Sequence, residues 1–305
     1  MRDKSREHAA RHPHPPDYPF KEITVIIALK GALMAGVQLP RDALSRINLG
    51  QAFAEYDKIL LRPGIIVETP ALRAAFDPDR SKCFFVGRRG TGKTAITRYV
   101  RDRDPRRTTP LTPLVFVPEA VPISLSAFSD TRQKPCRTAI QAYTRALINE
   151  AISTWLRAGY VTIARVQAEF SRERNLIEQF DFDGRLLHYF DEAFEALASN
   201  EREWMRFMNR VRDLGTSITK LAAETQLTCT IVIDRLDEAW DGSEKAVLFL
   251  MALMHACVQI STSIPSLRPL LFLRENIFER IRQIDNEFAR LNRHSHSCDM
   301  FGLAG

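Results

Sequence analysis

Cysteine is sparse in this chain of 305 residues, and its five copies form no C-x-x-C pair. An odd number of scattered cysteines argues against a disulfide framework and predicts a reducing, cytoplasmic setting. Membrane-like sequence is also nearly lacking. The one such stretch, Ile23 to Leu39, is at the short end for a spanning helix and carries Lys30 inside it. We therefore expect no stable membrane insertion, and either a packed helix or an N-terminal extension at this stretch.

Neither sign of charge dominates the composition. Hydrophobic residues make up 45% and charged residues 26% of the chain, which is an ordinary globular profile. The length allows one large α/β domain or one domain with appendages. A net charge of +6 permits a nucleic-acid partner. The basic residues are mostly Arg and are spread along the chain, so a solvated basic surface is the alternative.

One run of the sequence, GRRGTGKT, fits the pattern G-x-x-x-x-G-K-[ST]. It follows a short apolar run at 83–86 and precedes a helical pattern at 95–100, the context that a phosphate-binding loop (P-loop) requires. Glycines let backbone N–H groups turn inward onto phosphate oxygens, and the helix N-terminus adds its dipole. The run therefore predicts binding of a nucleoside triphosphate. The predicted nucleotide-binding residues are Gly87, Arg88, Arg89, Gly90, Thr91, Gly92, Lys93 and Thr94.

A carboxylate that is expected to complete the nucleotide site lies further along the chain. Lys93 is expected to reach the β- and γ-phosphates, and the Thr94 hydroxyl to ligate Mg²⁺. The buried-strand pattern at 230–233 ends in Asp234. This predicts a core strand, parallel to the P-loop strand, that brings a carboxylate to the Mg²⁺. The alternative is that Asp234 only caps the next helix.

The hydrolytic acid is not at its commonest position. Many ATPases carry a Glu directly after the metal-binding Asp, and Arg235 stands there in this chain. The acid that polarises water is therefore expected to be Asp237 or Glu238. No N-K-x-D motif, which reads guanine, is present, so ATP is favoured over GTP.

A further apolar run, at 270–273, predicts another buried strand beside the one that ends in Asp234. It ends in Arg274, where a guanidinium is placed to sense the charge of the γ-phosphate. An ion pair of Arg274 with Glu275 or Glu279 at the start of the next helix is the alternative.

The segments around this site are those expected of an α/β fold. Between about 135 and 227 the sequence predicts helices only, and the best of them, Glu201 to Leu221, has one apolar stripe at three- and four-residue steps. We expect this stripe to lie in the core. The predicted fold is that of a P-loop NTPase: a mostly parallel sheet flanked by helices, with a helical insertion between two strands.

Other segments give weaker predictions. Residues 101–113 are rich in helix breakers and carry four arginines, which predicts a loop that either contacts phosphate or nucleic acid or is a solvated connector. Residues 114–117 and 121–125 are typical of β-segments. The predicted domain plan is a disordered extension at 1–39, a P-loop ATPase domain at 40–291 and a flexible tail at 292–305.

Over about Ile47 to Leu291 the chain resembles the STAND/AAA-like branch of P-loop ATPases. The resemblance rests on GRRGTGKT, IVIDRLDE and LLFLREN in this order, preceded by a helical segment LGQAFAEYD. The site residues that it implies are Lys93 and Thr94 for phosphate and Mg²⁺, Asp234 for Mg²⁺, Asp237 or Glu238 as the hydrolytic acid, and Arg274 as the sensor.

The resemblance also implies a function. Proteins of this branch are nucleotide-controlled switches of bacterial defence or signalling, which form homo-oligomers and regulate an effector protein. Family members continue beyond the sensor helix into a helical lid, which implies a truncated chain here or a lid supplied from elsewhere. We expect a cytoplasmic ATP-hydrolysing switch. The alternatives are a DNA-associated ATPase, a nucleotide-binding module with negligible hydrolysis, and a P-loop phosphotransferase.

Overall fold

A computed structural model describes residues 69–77, 81–113, 130–285 and 287–298. Within these residues the chain forms a five-stranded sheet, flanked by helices, in which every neighbouring pair of strands is parallel. The strand order is β2-β3-β4-β1-β5. The strands are β1 Phe84–Gly87, β2 Thr108–Leu111, β3 Cys229–Ile233, β4 Leu267–Arg274 and β5 Ser295–Ser297. The predicted α/β class with a parallel sheet is confirmed.

The central strands are apolar because helices cover both faces of a parallel sheet. All four residues of β1 are buried, and so are most residues of β3 and β4. Phe85 and Phe272 stack between β1 and β4 at 5.0 Å between ring centroids. The predicted strands at 230–233 and 270–273 are therefore confirmed, with longer bounds.

Ten α-helices and one 3₁₀ turn, Leu236–Glu238, surround the sheet in the described part of the chain. Side-chain oxygens of Thr69, Asn200 and Ser243 accept hydrogen bonds from first-turn amides and so fix three helix starts. The helices are α1 Pro70–Phe76, α2 Lys93–Arg103, α3 Lys134–Arg157, α4 Ile163–Glu169, α5 Arg174–Gln179, α6 Phe182–Ser199, α7 Glu201–Thr225, α8 Glu244–Ser263, α9 Glu275–Ile284 and α10 Phe288–Asn292.

Helices α3 to α7 form a block between β2 and β3, and the described residues 134–228 contain no strand, as predicted. Helix α3 is the centre of the block: it is buried over most of its length and packs against α6, α7, α8 and the sheet. The apolar stripe of α7 is in the core, as predicted. Its buried members are Trp204, Phe207, Met208, Val211, Leu214, Ile218 and Leu221.

Helix α8 corrects the statement that only Ile23 to Leu39 is membrane-like. Its 20 residues are on average apolar enough, and the helix is long enough, to cross a membrane, yet 78% of its most apolar stretch is buried inside the fold. It packs between α3 and β4, so its hydrophobicity is explained by a position in the core. The stretch Ile23 to Leu39 lies outside the described residues.

The prediction of a loop at 101–113 was wrong in part. Helix α2 continues to Arg103, and β2 occupies Thr108–Leu111. Pro110 made this segment look like a breaker, but β2 is an edge strand. Proline is tolerated at an edge because its missing N–H removes no ladder hydrogen bond there.

The prediction of a flexible tail also needs correction, because β5 lies inside it and pairs with β1. Its residues Ser295–Ser297 are polar and give no apolar signal. The predicted extension at 1–39, the domain start at 40 and the β-segments at 114–117 and 121–125 lie outside the described residues and stay predictions.

Candidate functional site

Three of the predicted site residues lie at the carboxyl edge of the sheet. In the register of β1 and β4, Gly87 lies opposite Arg274. Strand β3 ends at Ile233, which is opposite Leu271 of β4, so Asp234 leaves the sheet at the same edge. Because the carboxyl ends of parallel strands lie along one edge, ligands commonly bind there. The prediction that β4 lies beside β3 is confirmed.

The loop between β1 and α2, residues 88–92, takes backbone conformations that favour glycine. Gly90 and Gly92 have φ angles of 85° and 81°. Gly92 precedes the first residue of α2, and no side chain caps this helix. The first amides of a helix have no partner within the helix, and they lie at the positive end of its dipole. The amino end of α2 is therefore suited to an anion.

The Lys93 ammonium bridges both sides of this loop. Its Nζ donates to the carbonyl oxygens of Gly87 and Arg88, each at 2.7 Å, and lies 3.5 Å from Thr91 Oγ1. The side chain thus folds back from the first turn of α2 onto the end of β1. This position places a positive charge inside the loop.

The charged groups of the site act on one another. Burial is the main cause that lowers the pKa of Lys93, and Cys298 and Asp234 partly offset it by raising that pKa. Arg274 lowers the pKa of Lys93 further, and Asp237 raises it. The ammonium is therefore within electrostatic reach of two carboxylates and one guanidinium.

Gly87 is required by close packing. A Cβ at this position would lie 2.6 Å from Thr91 Oγ1 and 2.9 Å from Cys298 Cβ. The Thr91 hydroxyl is held by donating to the Arg88 carbonyl at 2.9 Å, and the Cys298 N–H donates to the Val86 carbonyl at 2.7 Å. Because both neighbours are fixed, any side chain at residue 87 would displace the loop.

Asp234 is a half-buried carboxylate between β3 and α2. Its Oδ1 accepts from the Arg235 amide at 2.9 Å, and its Oδ2 accepts from the Thr97 hydroxyl at 3.3 Å. Burial raises the pKa of Asp234, and these hydrogen bonds oppose the rise. The nearby Thr94 hydroxyl also lowers the pKa of this carboxyl. The turn that follows has Arg235 at its cap position, so the alternative role of Asp234 as a helix cap is not seen.

The two candidate acids have different surroundings. Asp237 forms an ion pair with Arg274. Glu238 is exposed and lies 3.5 Å from Nη1 of Arg235. Arg235 itself has a left-handed φ of 62°, which turns the chain sharply into the 3₁₀ turn. Of the two carboxylates, only that of Asp237 is among the groups that shift the pKa of Lys93.

The alternative partners of Arg274 were predicted incorrectly. Glu275 accepts from Nε of Arg88 at 2.8 Å, and Glu279 pairs with Nη1 of Arg282 at 3.3 Å. Because Arg274 pairs with Asp237, it faces the loop that follows β3. It lies level with Gly87, the last residue of β1.

Two residues of the site were not found from the sequence. Thr97 lies three residues after Thr94 and thus on the same face of α2, which is a signal that could have been read. Cys298 follows β5 and packs against Gly87. No local pattern indicates Cys298, because the contact joins distant parts of the chain.

The residues present fit a magnesium nucleotide. The Thr94 hydroxyl and the Asp234 carboxylate are oxygen donors of the kind that Mg²⁺ prefers, and a cation would stabilise this half-buried carboxylate. The amino end of α2 and the Lys93 ammonium suit a chain of phosphates. Arg88 and Arg89 are exposed beside them.

No protein-family model matches this chain, and no solved structure matches it. The chain is 24% identical over 251 residues to a protein of Escherichia coli (strain K12) described as "Putative transposon gamma-delta 80.3 kDa protein". The aligned region covers 79% of this chain and 35% of that protein. The chain therefore spans about a third of the length of the relative it matches.

Proposed function

We propose that this chain is a P-loop NTPase that binds ATP and Mg²⁺ at the carboxyl edge of its sheet. The observation that carries the proposal is the position of Lys93, whose ammonium lies within a glycine loop at the amino end of α2. An ammonium, helix amides and a close-packed Gly87 on one loop match the requirements of a triphosphate. Thr94 and Asp234 would hold the Mg²⁺, which would offset phosphate charge when bound.

We further propose that the chain hydrolyses ATP to ADP and phosphate. Asp237 would accept a proton from water as the water oxygen attacks the γ-phosphorus, and ADP would leave with the bonding electron pair. Asp237 is favoured over Glu238 because it lies within electrostatic reach of Lys93 and pairs with Arg274, whose attraction to the γ-phosphate of bound ATP would free the carboxylate to act on water. Glu238 is exposed and turned towards Arg235.

Replacing the acids one at a time tests this assignment. Asp237→Asn is expected to lower the turnover of ATP at least about 100-fold, the usual contribution of a positioned base. Glu238→Gln, the matched control, is expected to stay within about threefold of wild type. Phosphate release by the full chain, with ATP binding measured beside it, is the readout. The reverse pattern would move the role to Glu238. If wild type binds ATP without releasing phosphate, the chain is a binding module and the proposed hydrolysis is wrong.

The ion pair of Asp237 with Arg274 supports a role as a nucleotide-controlled switch. The γ-phosphate of ATP would compete with Asp237 for the guanidinium, since charged hydrogen bonds to phosphate are among the strongest. Release of Asp237 would then depend on the presence of the γ-phosphate. A rearrangement of the loop that carries Asp237 would be small and local. An assembly of several copies, or an effector protein, could convert it into a larger conformational change.

Size-exclusion chromatography of the full chain tests the switch. We expect a larger species with ATP and Mg²⁺ and no change with ADP and Mg²⁺. Arg274→Ala is expected to bind ATP but to lose this shift, because the variant cannot report the γ-phosphate. Identical elution of wild type with either nucleotide would argue against homo-oligomeric switching.

A DNA-associated ATPase is the second candidate function. The E. coli relative carries the word transposon in its description, and a transposon is a DNA element. The exposed residues Arg103 and Arg106 lie at the end of α2 and in the turn after it. This candidate adds a nucleic-acid partner to the ATP site and does not replace it.

A further inference from the structure

The amino edge of the sheet, opposite the glycine loop, carries a group of cations. Lys82 precedes β1 and Arg107 precedes β2. Arg103 is the last residue of α2, and Arg106 is exposed in the turn that leads to β2. Because α2 starts at the carboxyl edge, 11 residues at about 1.5 Å each carry Arg103 roughly 16 Å from the ATP site. The two regions are therefore separate.

A recess of about 700 Å³ opens beside these cations, between α1, the end of α2 and β5. Such a volume is within the range of ligand-binding clefts. Phe76 and Tyr99 line it and meet edge to face, with ring centroids 5.8 Å apart. The charged lining residues that the structure describes are Arg73, Asp77, Lys82 and Arg103.

Several of these cations are not neutralised within the part of the chain that the structure describes. No carboxylate lies within 4.0 Å of the charged groups of Lys82, Arg103, Arg106 or Arg107 there, whereas Arg206 and Arg210 of α7 are both paired. Lys82 instead donates to the Arg293 carbonyl at 2.9 Å. The absence of a paired acid leaves net positive charge at this edge.

The Arg103 guanidinium is held in place by an aromatic ring. Its Cζ lies 4.7 Å from the centroid of the Phe76 ring, a cation–π contact, and the residue is exposed. An arginine fixed on a ring is a platform on which an unpaired base can stack, while its N–H groups reach phosphate. Lysine and arginine beside aromatic rings are typical of surfaces that bind single strands.

We propose that the amino edge of the sheet, formed by Lys82, Arg103 and Arg106 with the recess at Phe76, binds single-stranded nucleic acid. From β1 to β2 the edge spans three strand spacings, about 14 Å, which is room for more than one phosphate. Contacts of this kind go to the backbone and are independent of base sequence. The surface would supply the contact that a DNA-associated ATPase needs. This surface is distinct from the proposed ATP site, so a variant can lose nucleic-acid binding and keep ATP binding, or the reverse.

Fluorescence anisotropy with the full chain tests the proposal. The probe is a labelled mixed-sequence oligodeoxynucleotide of about 20 residues, longer than most single-strand sites, used alone and annealed to its complement at low salt. The variant is Lys82→Glu/Arg103→Glu. The control is Arg202→Glu/Arg212→Glu, which makes the same charge change at exposed positions of α7. ATP binding is measured on all three proteins.

We expect wild type to prefer the single strand and the variant to bind it at least about tenfold more weakly, with a salt slope reduced by about 1.4 for two lost contacts. The control is expected to stay within about twofold of wild type, because it changes charge on α7 of the helical block and not at this edge. ATP binding is expected to be equal in all three proteins. No binding by wild type, an equal loss in the control, or preference for the duplex would overturn the proposal. Loss of ATP binding alone in Lys93→Ala would leave it standing.

Discussion

Arg185→Met is expected to lower the free energy of unfolding by about 3–5 kcal/mol, the usual cost of breaking a buried ion pair by removing one partner. Arg185 and Glu150 are 2% and 3% exposed and pair between α6 and α3. Glu150 also accepts from the Thr109 hydroxyl of β2 at 3.0 Å and pairs with Arg157 at 2.6 Å. This carboxylate therefore joins the helical block to the sheet. Without Arg185 it stays buried with one strong donor fewer.

Denaturant unfolding followed by circular dichroism measures the effect. Arg206→Met is the matched control, because Arg206 forms an exposed pair with Glu203 that is expected to contribute at most about 1 kcal/mol. The double variant Glu150→Gln/Arg185→Met is expected to recover at least half of the loss, since it no longer buries a carboxylate that has lost its buried cationic partner. A midpoint for Arg185→Met equal to that of the control would contradict this account of the block.

Lys93→Ala is expected to weaken the binding of ATP and Mg²⁺ at least about 100-fold. A hydrogen bond to a charged group is worth about 1.5–3 kcal/mol, and two such bonds to phosphate oxygens are lost together. The substitution also removes the contacts that Lys93 makes with the Gly87 and Arg88 carbonyls, so the loop changes shape as well as charge. Lys220→Ala on the exposed face of α7 is the control and is expected to bind as wild type does.

The sequence predicted the centre of the molecule well. Strands β1, β3 and β4 are buried on both faces and therefore appear as apolar runs in the sequence. Each run ends where glycine or polar residues begin. Local pattern was enough to place Gly87, Asp234 and Arg274 at strand ends. It was enough to find the helical block too, because the stripe of α7 repeats over many turns.

The edges of the sheet and the long-range contacts could not be predicted in the same way. Strand β2 carries a proline and β5 is polar, so neither differs locally from a loop. Arg274 pairs with Asp237, which is distant in sequence. From the sequence alone, the nearby acids Glu275 and Glu279 were equally plausible partners. Such pairings depend on strand order, which no local pattern encodes.

Isothermal titration of ATP and Mg²⁺ into the full chain, wild type beside Lys93→Ala, tests the central claim most directly. The account predicts one saturable site in wild type and a loss of affinity of at least about 100-fold in the variant. Wild type that takes up no ATP, or a variant that binds ATP as tightly as wild type, would contradict the assignment of a nucleotide site to the loop between β1 and α2.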